Sequence, residues 1–455
     1  MSDTQFTAQI SDETRSNPTN KNSDVDPRGV NPYLFVSDFY DGVGGVYDGS
    51  YLMSYIRESF LESRRQQATY RNFLKPIVRA TIDPVFSARI IRESNSEMFD
   101  EFLDNVDNRD NRMTQFSSNV ATLSRLHGVC FTVMDNFTLV PELERDAIEQ
   151  RKFPYIYNQP AYTVDSHKVD EFNRLVSISF FRYEEIDKKQ YKIVTTWDSN
   201  YKIVEYFHDT NLIKTEAHEH NLGVLPIVVT YLDSTSLTLP PPPVYDMAKL
   251  CYTIFNKDSE IRDAERAQAF NIFYLQTDTE NNNLTIGPRN AIVIPPGNDI
   301  TITPGFASPD PAILEGLVNN NEKLIESLYS IAAQNGINAV KQTSGVAESY
   351  KFFASNQQLK KTATLATNFE LKVADLFSLY VSKEIEYKSV FPSTWDPFYA
   401  KLSIDELIKL VELDLSPEIT VEIKKLIASN VLEHLDSDRI EKLNETIGVT
   451  NDSTI

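Results

Sequence analysis

The chain has 455 residues, with 44 basic and 65 acidic side chains and a formal net charge of −21 at pH 7. A composition of 41% hydrophobic and 24% charged residues excludes a disordered or collagen-like chain, and the length allows two or three compact units or one elongated unit with insertions. No run approaches the roughly 18 to 20 uninterrupted apolar residues of a membrane span, and so acidic a chain is a poor conventional nucleic-acid binder, because affinity for the phosphate backbone comes from Lys and Arg displacing counterions.

Residues 1–30 are polar and acidic, with few aliphatic or aromatic side chains and no basic-then-apolar leader pattern; they read as a mobile tail of a soluble, cytoplasmically made protein. The glycine cluster Gly42, Gly44, Gly45 and Gly49 matches neither the dinucleotide fingerprint nor the GK[ST] phosphate cradle and reads as a flexible turn. From Tyr51 to Ala68, apolar residues at Leu52, Tyr55, Ile56, Phe60 and Leu61 keep helical spacing and predict an amphipathic helix. A second helix is expected over Asp110 to Leu126, stopped by Gly128, with Val129 to Met134 following as a strand. Three further strand-like runs, Val176–Arg182, Gln190–Trp197 and Tyr201–Phe207, predict an antiparallel meander, and Leu222 to Val229 predicts one more strand.

Pro240 to Pro243 hold an extended conformation and mark a boundary. Beyond it, Val244 to Ala269 lacks Gly and Pro and reads as one helix. Phe270 to Ala307 changes to short β-rich pieces, Ala312 to Gln334 returns to helix, and Asn335 to Gly345 is a glycine-bounded loop with one charge, Lys341. From Val346 no Gly or Pro interrupts the chain before Pro392, and a 3.6-residue apolar period predicts roughly 40 residues of helix. Short helices are expected over Ser403 to Gly448. The fold class is therefore α+β and helix-rich.

Chemistry-bearing patterns are sparse. Cys130 and Cys251 sit in apolar contexts and read as small hydrophobes, which excludes a disulfide framework and a zinc finger. His218, Glu219 and His220 place two imidazoles two residues apart without marking further ligands, and a solvated hairpin turn fits them better than a metal site. There is no GxSxG elbow or HExxH helix; Ser344 could be nominated as a nucleophile, but no base lies near it in sequence. The expectation is no enzyme, no cofactor and no metal. The order of elements says more. Two helices flanking a β module would hold it away from the body like a stalk, and a stalk exposing apolar stripes is stable only against neighbouring copies.

The segments YLMSYIRESFLESRRQQATYRNFL, NRMTQFSSNVATLSRLHGVCFTVMD, HNLGVLPIVV, PPPVYDMAKLCYTIF and SGVAESYKFFASNQQLKKTATLATNFE, in that order between about Tyr40 and Gly448, resemble phage portal proteins, the ring-shaped connectors at the unique capsid vertex. No single motif is diagnostic; the ordered set carries the likeness. The resemblance implies a homo-oligomeric ring, usually of twelve copies, with a wing at 31–239, a first stem helix at 240–269, a clip at 270–307 and a second stem helix at 308–334. A tunnel loop would follow at 335–345, a long wing helix and return at 346–402, and a short crown at 403–455. It further implies double-stranded DNA passing without sequence recognition, a terminase large subunit supplying ATP chemistry, a head-completion or adaptor protein, a major capsid protein, no membrane, and a place in the virion after assembly in the host cytoplasm.

On that reading Asn338, Lys341, Gln342 and Thr343 face the DNA channel, and Asp278, Glu280, Asn281, Asn282 and Asn283 face partners at the clip. Tyr252, Ile254, Phe255, Ile261, Arg262 and Arg266 pack the stem between copies, with Asp263 and Glu265 available to basic groups of an adjacent one. The alternatives are another capsid or connector component and, from a different class, a metal-dependent phosphodiester hydrolase using acidic clusters with His218 or His220.

Overall fold

The computed structural model describes residues 31–55, 58, 60–137, 141, 143–269, 272–276, 291–294, 303–307, 310–334 and 345–392. The chain divides into two compact units, Met1–Ser393 and Thr394–Ile455, and every described residue lies in the first. The expected tail, tunnel loop and crown helices lie outside the described residues.

In chain order, helices α1 (Pro32–Asp41), α2 (Leu61–Gln67), α3 (Leu74–Arg79) and α4 (Asp83–Ser87) precede strand β1 (Ile91–Ser94). Helices α5 (Glu97–Asp104) and α6 (Met113–His127) lead into β2 (Val129–Asp135), then α7 (Glu144–Glu149) and β3 (Tyr155–Gln159). The meander is β4 (Val164–Val169), β5 (Leu175–Ile186), β6 (Lys189–Trp197), β7 (Tyr201–His208) and β8 (Asn211–Glu219), followed by β9 (Ile227–Tyr231). Helix α8 (Tyr245–Ala269), strands β10 (Ile272–Gln276), β11 (Ala291–Ile294) and β12 (Gly305–Ala307), helix α9 (Pro311–Gln334), helix α10 (Gly345–Val381) and strand β13 (Tyr387–Val390) complete the order. The fold is α+β.

Helix α1, adjoining the expected tail, starts from a strong local signal. The Asn31 side chain accepts hydrogen bonds from the backbone N–H of Tyr33 and Leu34, Pro32 occupies the first turn, and Gly42 ends the helix in the left-handed region at φ 70°. The glycine cluster is a tight turn instead of a flexible one. A Cβ on Gly44 would run into the Asp38 carboxylate, and one on Gly45 would run into the Tyr51 ring.

The amphipathic helix expected from Tyr51 is confined to Leu61–Gln67. Upstream, side chains take the backbone groups that a helix would use. Asn256 Oδ1 accepts from Met53 N–H at 2.8 Å, Glu58 accepts from Tyr55 N–H at 2.8 Å, and Arg64 donates to the Met53 carbonyl. Helix α6, its Gly128 cap at φ 81° and the fully buried strand β2 match the sequence expectation. The last strand before the prolines begins at Ile227, five residues later than expected. Residues 211–219, which carry the imidazole pair's first member, form edge strand β8 instead of a hairpin turn.

Four sheets result: β4-β5-β6-β7-β8, β3-β2-β9, β11-β10-β12 and the pair β1-β13. Sheet β3-β2-β9 lies between two apolar clusters because successive β2 residues face opposite ways. Val129, Phe131 and Val133 pack with Ile178, Phe180 and Trp197 of the meander, while Cys130 and Met134 pack with Phe99, Phe369, Val373 and Phe377. A third cluster seats α8 and α9 on α1 and α3 through Phe35, Phe39, Leu74, Ile77, Phe255 and Leu328. Helix α10 runs 37 residues and stops at Val381, short of the sequence expectation, where Ser382 turns left-handed at φ 52°. Its buried Glu370 receives Arg92 from β1 at 2.7 and 3.0 Å, the Ser117 hydroxyl at 2.8 Å and the Tyr387 hydroxyl at 2.7 Å.

Candidate functional site

Helices α8 and α9 pack on each other, and the chain between them forms the small sheet in which β10 pairs in parallel with β11 and antiparallel with β12. Two packed helices with a three-stranded sheet between them in the chain follow the element order read from the sequence. The first half of α8 is rooted in the body: Cys251, Ile254 and Phe255 are buried, and the Tyr252 ring lies 6.1 Å from Phe35 and 6.3 Å from Phe39. Ile261 is the last buried residue before Arg262, Asp263, Glu265 and Arg266, all exposed.

This placement separates the residues expected at the contact between copies into buried and exposed ones. Phe255 turns into the chain's own core and Tyr252 is half-buried there, because the aromatic face of α1 covers that side of α8, while Ile261 is buried at the cleft beside Val318 and Ile325 of α9. Arg262 and Arg266 remain accessible. Arg262 donates to the Gln67 carbonyl at 2.8 Å and to the Thr69 hydroxyl at 2.6 Å. Arg266 makes no hydrogen bond or ion pair among the described residues.

Both arginines line clefts between α2 and α8, and Arg262 also lines one that reaches α9. The latter, of about 440 Å³, is walled by Arg71, Asp258, Arg262, Glu265, Asn321 and Glu322. Arg71 and Asp258 close a two-point ion pair at 2.5 and 2.8 Å, and Asn321 donates to the same carboxylate at 2.7 Å, tying α9 to α8. Deeper, Arg64 pairs with Glu58 at 2.8 Å and donates to Ser259 at 3.2 Å; the hydrogen bond from Arg64 holds the Glu58 carboxyl below its ordinary range. The cleft joins elements by charge and leaves charged groups of both signs at its rim.

The channel candidates Asn338, Lys341, Gln342 and Thr343, the clip candidates Asp278, Glu280, Asn281, Asn282 and Asn283, and Ser344 lie outside the described residues. His218 is exposed on β8, and His220 beyond it is half-buried, 3.2 Å from the Asp198 carbonyl and against the Trp197 ring. Among the described residues no group of three or more His, Cys, Asp or Glu side chains is placed to hold a metal ion, and no helix is long and apolar enough to cross a membrane. Cys130 and Cys251 are buried free thiols, both pushed up to about 12 by burial.

One pairing has no signal in the sequence. Ser37 of α1 and His127 at the end of α6, 90 positions apart, meet at 2.8 Å through the hydroxyl and Nε2. Ser37 also donates to the Tyr33 carbonyl at 3.0 Å, so His127 is the donor between them. Its Nδ1 is buried without a partner, with the rings of Tyr33 and Tyr162 packed edge-on at 5.7 and 5.8 Å. This polarity is opposite to that of a histidine activating a serine nucleophile.

No family model matches the chain. No curated protein matches it. Among solved structures, a similar chain belongs to one described as the neck of an empty GTA particle computed with C6 symmetry. The likeness covers 83% of this chain and 97% of that one, at 13% identity and a TM-score of 0.36, a level that carries no functional inference.

Proposed function

We propose that this chain is a portal-type connector subunit of a phage-like particle, and that copies of it close into a ring through whose bore double-stranded DNA passes into and out of a capsid. The observation that carries the reading is the β module between Ala269 and Pro311, mounted on two packed helices rooted in a mixed α/β body and followed by a 37-residue helix. Helix α8 is about 38 Å long at 1.5 Å per residue, and its last eight residues, about 12 Å, follow the buried Ile261 before the β module begins. The ordered resemblance to portal proteins assigns these pieces to stem, clip and wing.

On this reading the chain performs no chemistry of its own. A terminase hydrolyses ATP and docks at the clip through Asp278, Glu280 and Asn281 to Asn283, an adaptor replaces it after packaging, and the capsid protein surrounds the wing. A net charge of −21 per copy makes the bore repel phosphate, so DNA slides without gripping the wall. Lys341, with Asn338, Gln342 and Thr343, supplies a thin cationic ring that touches the backbone without reading bases. Arg262 and Arg266 pair with carboxylates of the neighbouring copy at the stem.

The test is the mass and image of the purified protein. A species about twelve times the 51.9 kDa chain with a central hole is expected; a solitary globule or a cluster without a hole overturns the proposal. Deleting residues 338–343 should leave ring assembly intact and change DNA packaging or retention, and loss of assembly would contradict the channel assignment.

A further inference from the structure

Strand β9 is the outer strand of sheet β3-β2-β9, and its free side has an unusual setting. Leu232 N–H donates to the Gly128 carbonyl at 3.0 Å, and Met134 N–H donates to the Pro226 carbonyl at 2.9 Å. Alternation in an antiparallel pair then turns the N–H and C=O groups of Val228 and Thr230 toward β2 and those of Val229 and Tyr231 away from it. No strand among the described residues pairs with that side.

Folded proteins guard such edges with charge, proline or a cover. The other sheet does so: its edge strand β8 carries Lys214, Glu216, His218 and Glu219. β9 reads IVVTY, with no charge and no proline. Its free side faces two adjoining cavities of about 550 and 290 Å³, both lined by Val229, Tyr231 and Lys372. In the larger one, Leu175 and Leu225 form one wall, and Leu376 and Leu379 of α10 form the other. Leu379 is 47% exposed. A slot with leucine walls, bordered also by Arg174, Lys372 and Asp375, and with a bare strand edge beside it has the form of a site for strand addition.

The sequence holds a segment that fits it. Residues 4–10 read TQFTAQI, in which Phe6, Ala8 and Ile10 alternate with Gln5, Thr7 and Gln9, without charge, Gly or Pro. The described chain begins at Asn31, and Tyr33, two residues on, belongs to the same apolar cluster as Ile227, Leu225 and Tyr231. The intervening residues 11–30 can span up to about 70 Å when extended, far more than the distance across one cluster requires.

We infer that residues 4–10 of the same chain add to β9 as a fourth strand, taking the outward N–H and C=O groups of Val229 and Tyr231 and burying Phe6 and Ile10 in the slot. The inference does not depend on ring formation. Amide hydrogen exchange on the full chain tests it, against a chain lacking residues 1–12 and a full-length F6D/I10D variant. Val229 and Tyr231 amides should exchange about tenfold or more faster in both variants than in the full chain, and a synthetic peptide of residues 1–12 added in excess should restore protection to the truncated chain. Equal exchange in all three proteins, or protection that survives F6D/I10D, overturns the inference. Rings that form while these amides exchange freely would remove this docking and leave the connector reading standing.

Discussion

At the scale of single residues, His127 makes a titration prediction with a definite sign. Burial pushes its imidazole down to about 3. A base with a depressed folded value stays neutral in the fold while the unfolded chain takes up a proton below about 6.5. The unfolded state therefore binds more protons between about 3 and 6.5, and stability is full above that window and lost as pH falls through it. His127→Gln can keep a donor to Ser37 and removes the titration. At neutral pH it should be less stable than the parent, because the ring contacts with Tyr33 and Tyr162 are lost. The gap should close by up to about 1.4 kcal/mol for each pH unit below 6.5. Urea midpoints of both proteins at several pH values measure this; a gap that stays constant with pH would show that the histidine titrates normally.

At the scale of elements, the long helix α10 is held by one polar clamp as well as by its apolar face. Glu370 is fully buried, and its partner Arg92 is 16% exposed, so removing the carboxylate leaves a mostly buried guanidinium and two hydroxyls without their acceptor. Glu370→Ala should cost about 3 to 5 kcal/mol of stability. Glu370→Gln, which keeps the shape and one acceptor, should cost less. Urea unfolding with an unchanged slope reads both, and an alanine variant as stable as the parent would mean that the packing of Phe369, Val373 and Phe377 alone fixes the helix. Nothing in the sequence marks this clamp, since Arg92, Ser117, Glu370 and Tyr387 converge from four separate elements. What is legible is local and periodic: α6 with Gly128 and β2, strands β5 to β7, the stalk helix α8 and the β module. The Tyr51 run has helical spacing but folds otherwise, because Asn256 and Arg64, distant in the chain, take its backbone groups. Strand β8 lacks an apolar alternation because both its faces are exposed, and α1 was missed because its signals, Asn31-Pro32 at the start and Gly42 at the end, are single residues and not a long apolar period. Of the stem candidates, the arginines were legible as exposed, whereas the burial of Phe255 follows from an aromatic face on α1 that lies more than 200 residues upstream.

At the scale of the whole molecule, charge decides how copies of the proposed connector should respond to salt. Each carries −21, so a ring of twelve, as proposed, has to overcome a long-range repulsion that acts over about 30 Å at 0.01 M salt and about 10 Å at 0.1 M. Contacts through exposed ion pairs at Arg262 and Arg266 contribute only about 0 to 1 kcal/mol each and weaken with the same screening. Repulsion summed over the whole surface outweighs these few pairs, so the assembled fraction should rise as sodium chloride is raised from about 0.01 to about 0.1 M. Mass measurement at fixed protein concentration follows it directly. An assembled fraction that falls over this range would mean that attractive ion pairs dominate the interfaces. The same field acts on DNA: under the proposed function a free duplex should show no retention by the purified protein near 0.1 M salt, because net repulsion leaves few counterions to release. Tight, salt-sensitive capture of a duplex would require a cationic lining far larger than one lysine per copy, and would replace a bore that lets DNA slide with a surface that holds it.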